Sequence, residues 1–151
     1  MKTLFIYYSN TGNGDVVAEC LKAQGMEVRK VLPKKPLPKS FFWCVMSGGF
    51  LAGMGHKAPL KQFDPSVEGF DRIVIGSPIW NARLSCPINS VLDQVDLGAL
   101  PVTFILWAGS GEGPSAVKRI NKNYPNAEII LLKDPKKYPE ELEKIKGLVS
   151  E

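Results

Sequence analysis

Histidine and cysteine are scarce in this chain of 151 residues, and their scarcity excludes several kinds of chemistry. The one histidine, His56, and the three cysteines, Cys20, Cys44 and Cys86, stand far apart with no CxxC pair. A zinc centre needs three or four converging ligands, so no metal site is expected. An odd number of widely spaced cysteines gives no disulfide framework either, and Cys20 reads as a packing residue on a buried helix face. Long apolar runs are also missing. Residues 41–55 are strongly apolar but fall short of the roughly 20 needed to cross a bilayer, and Gly48, Gly49, Gly53 and Gly55 interrupt them. The apolar stretch after Lys2 is too short for a secretory leader and reads as a first strand. A cytoplasmic protein is the expectation. Strong charge imbalance is absent as well: 19 Lys and Arg against 15 Asp and Glu leave a formal +4. The lysines at 30, 34, 35 and 39 and at 133, 136 and 137 read as solvated loops. No nucleic-acid motif accompanies them, so no nucleic-acid partner is expected.

What the chain does have is a 44% apolar content arranged in short blocks. Its length fits a single domain spanning residues 1–151. Residues 2–8 form a continuously apolar strand. Val16, Val17, Cys20 and Leu21 then fall at helical spacing, and Gly25 is placed to end that helix. Residues 27–32 make a second strand, and Ile73-Val74-Ile75 a third that ends at Gly76. A loop is expected over residues 77–86, then a helix opened by Pro87. Residues 102–107 are a fourth strand, Pro114 opens another helix, and residues 127–132 are a fifth strand. A last helix is expected over residues 138–149, with Leu142, Ile145 and Val149 on one face. Continuously apolar strands belong to sheets covered on both sides, and strands alternating with helices give parallel order. The fold class is therefore α/β, an open, doubly wound, five-stranded parallel sheet. In such sheets ligands bind beyond the carboxyl ends of the strands, which directs attention to three loops.

The first loop, Ser9-Asn10-Thr11-Gly12-Asn13-Gly14, joins a buried strand to a helix N-terminus, where unpaired N–H groups and the helix dipole suit a phosphate. Ser9 and Thr11 add hydroxyls and Asn10 and Asn13 add amides, while Gly12 and Gly14 permit close backbone approach. No Lys or Arg lies inside it, so neutral dipoles would hold the phosphate. A P-loop would need a lysine that is missing. A dinucleotide fingerprint would need a third glycine where Val17 stands. A phospho-accepting receiver would need acidic residues where Ser9 and Gly76 stand. The plain alternative is a polar turn that caps the helix through Asn13 or Asp15. The second loop, Ser77-Pro78-Ile79-Trp80-Asn81, carries an aromatic ring placed to stack on a flat ligand, or else packed on the loop itself. Arg83, three residues further on, could stabilise an anionic reduced ligand there or simply be solvated. The third, Ala108-Gly109-Ser110-Gly111, offers backbone N–H groups with little side-chain obstruction, though an ordinary glycine-rich connection has the same composition.

Taken together, Tyr8-Ser9-Asn10-Thr11-Gly12-Asn13, the run Val74-Ile75-Gly76-Ser77-Pro78-Ile79-Trp80 with Pro87 opening the next helix, and the glycine-rich turn after strand four resemble the three flavin loops of the flavodoxin family. The resemblance spans residues 2–132. It implies the strand order 2-1-3-4-5 and FMN as cofactor. Residues 9–14 would hold its phosphate, Trp80 would stack on the isoalloxazine, and backbone groups of residues 78–81 and 109–111 would bond its polar edge. It implies an electron-transfer protein that serves redox partner proteins or a small electron acceptor, with no catalytic acid, base or nucleophile from the protein. The alternatives are an NAD(P)H- or quinone-linked FMN oxidoreductase and a flavodoxin-like binding module of weak flavin affinity. Three departures are visible. Gly14 stands where flavodoxins commonly carry Ser or Thr, so a hydroxyl donor is lost. Asp15 places a carboxylate beside the expected phosphate. The chain is basic, with an isoelectric point of about 9.0, whereas electron-carrying flavodoxins are usually acidic, and complementary charge steers docking. Residues 40–56 read as a crossover helix broken by Gly48-Gly49, or as an apolar patch for membrane-surface or partner contact. Either a monomer or a homodimer fits.

Overall fold

The computed structural model describes residues 1–35, 57–80 and 83–149. Five strands form one parallel sheet: β1 (Thr3–Tyr7), β2 (Glu27–Lys30), β3 (Arg72–Trp80), β5 (Val102–Ala108) and β6 (Glu128–Lys133). Their spatial order is β2-β1-β3-β5-β6, which is the expected 2-1-3-4-5 order of the long strands. A two-residue strand, β4 (Arg83–Leu84), pairs antiparallel with the end of β3 and lies off this path. Among the described residues, three α-helices connect the strands: α1 (Asn13–Ala23), α2 (Cys86–Gln94) and α3 (Pro114–Asn123).

The strands bury both faces, and successive side chains alternate between them. Leu4, Ile6, Ile73, Ile75, Phe104 and Leu106 pack with α2 and α3 through Ile88, Val91 and Ile120. Phe5, Tyr7, Val74, Ile105 and Trp107 pack on the other side with α1 and the chain's last segment through Val17, Leu21 and Ile145. This explains why the strands read as unbroken apolar runs. α1 ends as expected at Gly25. Its φ of 95° lets its N–H reach Lys22 O while that of Met26 reaches Leu21 O, a glycine-closed helix end. Cys20 is half-buried against the same cluster rather than fully packed away.

Two expectations are corrected. The third strand does not stop at Gly76. β1 pairs with β3 only as far as Tyr7↔Gly76, but β5 is longer and goes on pairing through Ser77↔Leu106 and Pro78↔Trp107. β3 then folds back on itself as Ile79↔Leu84 and Trp80↔Arg83. The expected loop over residues 77–86 is therefore largely a strand end and a hairpin. The last helix is also not an α-helix over residues 138–149. It is a 3₁₀ helix, Pro139–Ile145, after which Gly147 turns with a φ of 81°. Leu142 and Ile145, three residues apart, share one face of this helix, and Leu148 joins the same cluster from beyond the Gly147 turn. Gln24 holds this segment, donating to Ile145 O and accepting from the Gly147 N–H. The expectations for residues 40–56, His56 and Cys44 lie outside the described residues. Among the described residues, no helix is long and apolar enough to cross a membrane, and no cluster of His, Cys, Asp or Glu could hold a metal.

Candidate functional site

The ends of β1, β3 and β5 and the loops that follow them come together at one edge of the sheet. At the first of these loops the N-cap of α1 is Gly12, with a φ of 97° and no side chain to cap the helix. Ser9 supplies the missing oxygen from across the loop. Its Oγ accepts the N–H of Gly12 at 3.2 Å and of Gly14 at 3.0 Å. With two donors engaging that oxygen, the hydroxyl hydrogen of Ser9 is left to donate elsewhere. Asn13 does not cap the helix either. Its Oδ1 accepts the backbone N–H of Lys136 at 2.9 Å, which ties the turn after β6 to this loop. Thr11 is exposed and Asn10 half-buried.

Gly14 has no room for a side chain. A Cβ there would lie 2.7 Å from Cβ of Ser9, 2.7 Å from Cζ2 of Trp107 and 2.9 Å from Cδ2 of Tyr7. The position is thus closed to the hydroxyl-bearing residue expected from flavodoxins, because the Trp107 ring fills the floor beneath it. Gly76 borders the same ring. A Cβ there would meet Phe5 at 2.6 Å and Trp107 at 3.0 Å. Trp107 is 2% exposed. Within an apolar strand its sequence position gives no sign that its ring underlies both α1 and β3.

Asp15, expected to repel a phosphate, is turned onto β1 and β2. Its Oδ1 accepts from the Tyr7 hydroxyl at 2.8 Å and from Lys30 Nζ at 2.8 Å. Burial acts to raise its pKa. The hydrogen bonds from Lys30 and Tyr7, with the charges of Lys30 and Lys136, outweigh that and hold it below its ordinary 3.8. Burial, the hydrogen bond to Asp15 and the negative charges of Asp15 and Glu19 push the Tyr7 hydroxyl well above the usual tyrosine range. A depressed carboxylate contributes stability that is present above its unfolded pKa and disappears as pH falls through the folded one. Asp15→Asn is accordingly expected to lower the urea midpoint at neutral pH. Its gap to the wild type should close as pH falls below 3.8. A gap that stays constant into acid would show that the carboxylate's charge contributes nothing.

The second expected loop is more deeply built in than its composition suggests. Ser77 is fully buried. Its Oγ donates to Pro78 O at 2.9 Å, meets Ser85 Oγ at 3.0 Å and accepts the Ser85 N–H at 3.2 Å. It staples the hairpin to the start of α2. Trp80 is 7% exposed and makes an edge-on contact with Tyr8 at a centroid distance of 5.7 Å. Ile79 lies under the third loop, where a Cβ on Gly113 would meet its Cδ1. Asn81 lies outside the described residues. In the third loop, Ala108 O accepts the N–H groups of both Gly111 and Asp134. The Ser110 hydroxyl accepts from Glu112 N at 3.2 Å, and Gly109 faces open space.

A groove of about 750 Å³ begins beside this edge at Arg83 and Ser115 and runs between α2 and α3 past Lys118, Arg119 and Lys122. Lys57 at its wall pairs with Asp93 at 2.7 Å. Among the described residues the other four cations in it form no ion pair, so the groove carries net positive charge. The groove is not legible in the sequence, since its side chains come from separate elements.

Solved structures share this architecture. A flavoprotein from Lactobacillus acidophilus NCFM, determined in complex with FMN, superposes with a TM-score of 0.73 at 21% identity, covering 92% of this chain and 97% of that one. The apo form of the flavoprotein from the same organism gives 0.60 at 22% identity over 85% and 88%. Oxidised flavodoxin 1 from Bacillus cereus gives 0.51 at 15% identity over 99% and 98%. At these identities the likeness shows the flavodoxin-like fold. No curated protein matches the chain in sequence. Over residues 1–133, however, it matches the profile of the flavodoxin-like NADPH-dependent FMN reductases, and the chain belongs to that family.

Proposed function

We propose that the protein is an FMN-dependent oxidoreductase that draws reducing equivalents from NADPH and passes them to a small electron acceptor such as a quinone. The protein groups at the sheet edge fit FMN. Gly12 and Gly14 keep the start of α1 bare of side chains, Ser9 has a hydroxyl hydrogen to donate, and Asp15 is neutralised by Lys30. These features suit a phosphate over residues 9–14. Backbone groups of residues 78–80 and 109–111 would bond the polar edge of the ring, and Trp80, now packed edge-on against Tyr8, would have to turn outward to stack on it. When bound, FMN would supply the redox chemistry between nicotinamide and acceptor, and the residues above would hold and orient it.

The observation that favours the oxidoreductase over an electron carrier is the basic groove. Arg83, Lys118, Arg119 and Lys122 line this groove, Arg83 is paired with Trp80 of the second loop, and cations so arranged complement the phosphates of a dinucleotide. They would repel the basic surfaces that acidic flavodoxins dock against. The family's own description supports the same reading. The test is to mix FMN-loaded protein with NADPH in the absence of oxygen. Prompt loss of the flavin's visible absorbance is expected, and slower loss with NADH, which lacks the extra phosphate. If colour persists until a separate reductase is added, the protein is a carrier. If it binds no FMN at all, it is a flavodoxin-like binding module.

A further inference from the structure

The phosphate loop contains no cation of its own, yet the fold brings one to it. β6 ends at Lys133, and the chain turns through Asp134, Pro135 and Lys136 over the start of α1. The turn is tightly made. Asp134 takes a φ of 35°, its N–H donates to Ala108 O, and its carbonyl accepts from Lys137 and Tyr138. Pro135 is buried. The turn is then fixed to the phosphate loop at two points. The Lys136 N–H donates to Asn13 Oδ1 at 2.9 Å, and Nζ donates to Thr11 O at 3.4 Å. The Lys136 ammonium lies 3.2 Å from where a Cβ on Gly12 would stand. The φ of 97° is what calls for glycine here, and its missing side chain leaves the ammonium close over the loop.

We infer that Lys136 supplies the counter-charge to the ligand's terminal phosphate, and so selects the phosphorylated flavin over its unphosphorylated form. This rests on the FMN reading above. The contact to Thr11 O is long for a hydrogen bond of an ammonium group, which leaves the charge available to a stronger acceptor in the same place. Lys30 does not perform this role, since its Nζ is engaged by Asp15 on the side facing β2. The Lys133 and Lys137 ammonium groups lie over the Tyr138 ring at 5.2 and 5.4 Å. Of the lysines in this basic cluster, Lys136 is therefore the one whose ammonium is held against the phosphate loop.

The test is equilibrium titration of FMN and of riboflavin, read by flavin emission, into the wild type, Lys136→Met and Lys136→Arg. Met keeps the length of the stem without the charge. A charge-assisted bond to phosphate of ordinary strength predicts that Lys136→Met weakens FMN binding by about 10- to 100-fold. Riboflavin affinity should stay unchanged and Arg should restore most of the loss. Raising the salt concentration should weaken FMN binding to the wild type more than to Lys136→Met. Equal weakening of FMN and riboflavin would show that Lys136 only braces the loop, and would overturn the inference. Unchanged FMN affinity in Lys136→Met would overturn it too, while leaving the FMN reading intact. A wild type that binds neither flavin would overturn the FMN reading itself and this inference with it.

Discussion

Replacing Gly14 with serine, the kind of residue flavodoxins commonly carry there, is expected to damage this protein rather than restore a phosphate donor. The clash arises at Cβ, before any hydroxyl is placed: three neighbours stand at 2.7, 2.7 and 2.9 Å. Two of them belong to aromatic rings held in the core. Trp107 is 2% exposed and Tyr7 5%, and Tyr7 is further fixed by its bond to Asp15. Rings packed at crystal-like density do not yield, so the first turn of α1 must move outward. Overpacking of this sort costs roughly 1–3 kcal/mol, which in a domain of this size lowers the melting temperature by about 2–12 °C. Moving that turn also displaces the Gly14 N–H from Ser9 and shifts the whole phosphate loop. FMN affinity should fall by about tenfold or more, as an uncompensated loss of 1.4 kcal/mol would give. Gly14→Ala should behave in the same way, since it shares the offending atom. Thermal melts of the apoprotein and FMN titrations of all three proteins check this. A Gly14→Ser variant that melts with the wild type and binds FMN more tightly would sink the steric account and revive the missing-donor one.

The runs Leu4-Phe5-Ile6 and Phe104-Ile105-Leu106 are read correctly as strands covered on both sides because their apolarity is local and continuous. Gly25 and Pro114 are read correctly because a helix end and a helix start are decided within one turn. The end of β3 is not local in this sense. Ser77 and Pro78 look like a loop, and they remain strand only because β5 is long enough to pair with them. Trp80 was expected on an open loop for the same reason, and the hairpin to Arg83 is what buries it. Gly14 looked like a lost donor because the ring that forbids a side chain there belongs to Trp107, which is distant in the chain. Lys136 looked solvated because its partner Asn13 is 123 residues away. In each case the misread feature depends on a contact between elements, whereas the correctly read ones depend on neighbours along the chain.

Arg72 gives the largest expected loss of stability at the end of the sheet opposite the site. It opens β3, and it is 9% exposed. Its guanidinium donates from Nε and Nη2 to Thr103 Oγ1 at 3.2 and 2.7 Å, from Nη1 to Leu148 O at 2.9 Å, and from Nη2 to Glu128 Oε2 at 2.7 Å. One side chain thereby joins β3, β5, β6 and the segment after the 3₁₀ helix. Arg72→Leu removes the charge and leaves Leu148 O without this donor, and Glu128 keeps only the Thr103 hydroxyl. Stability should fall by about 2–4 kcal/mol, the range for breaking a largely buried, hydrogen-bonded charge pair from one side. Glu128 is half exposed and can turn to water, which keeps the loss toward the lower end. Arg72→Lys should recover only part of it, because an ammonium cannot reproduce the planar fork that meets three acceptors at once. FMN affinity measured well below the melting transition should stay at the wild-type value, since among the described residues no member of the three loops bonds Arg72. Chemical unfolding followed by far-UV dichroism, paired with FMN titration, separates the two quantities. A stability change within about 0.5 kcal/mol, the usual range for an ordinary surface substitution, would mean that the buried network contributes nothing net.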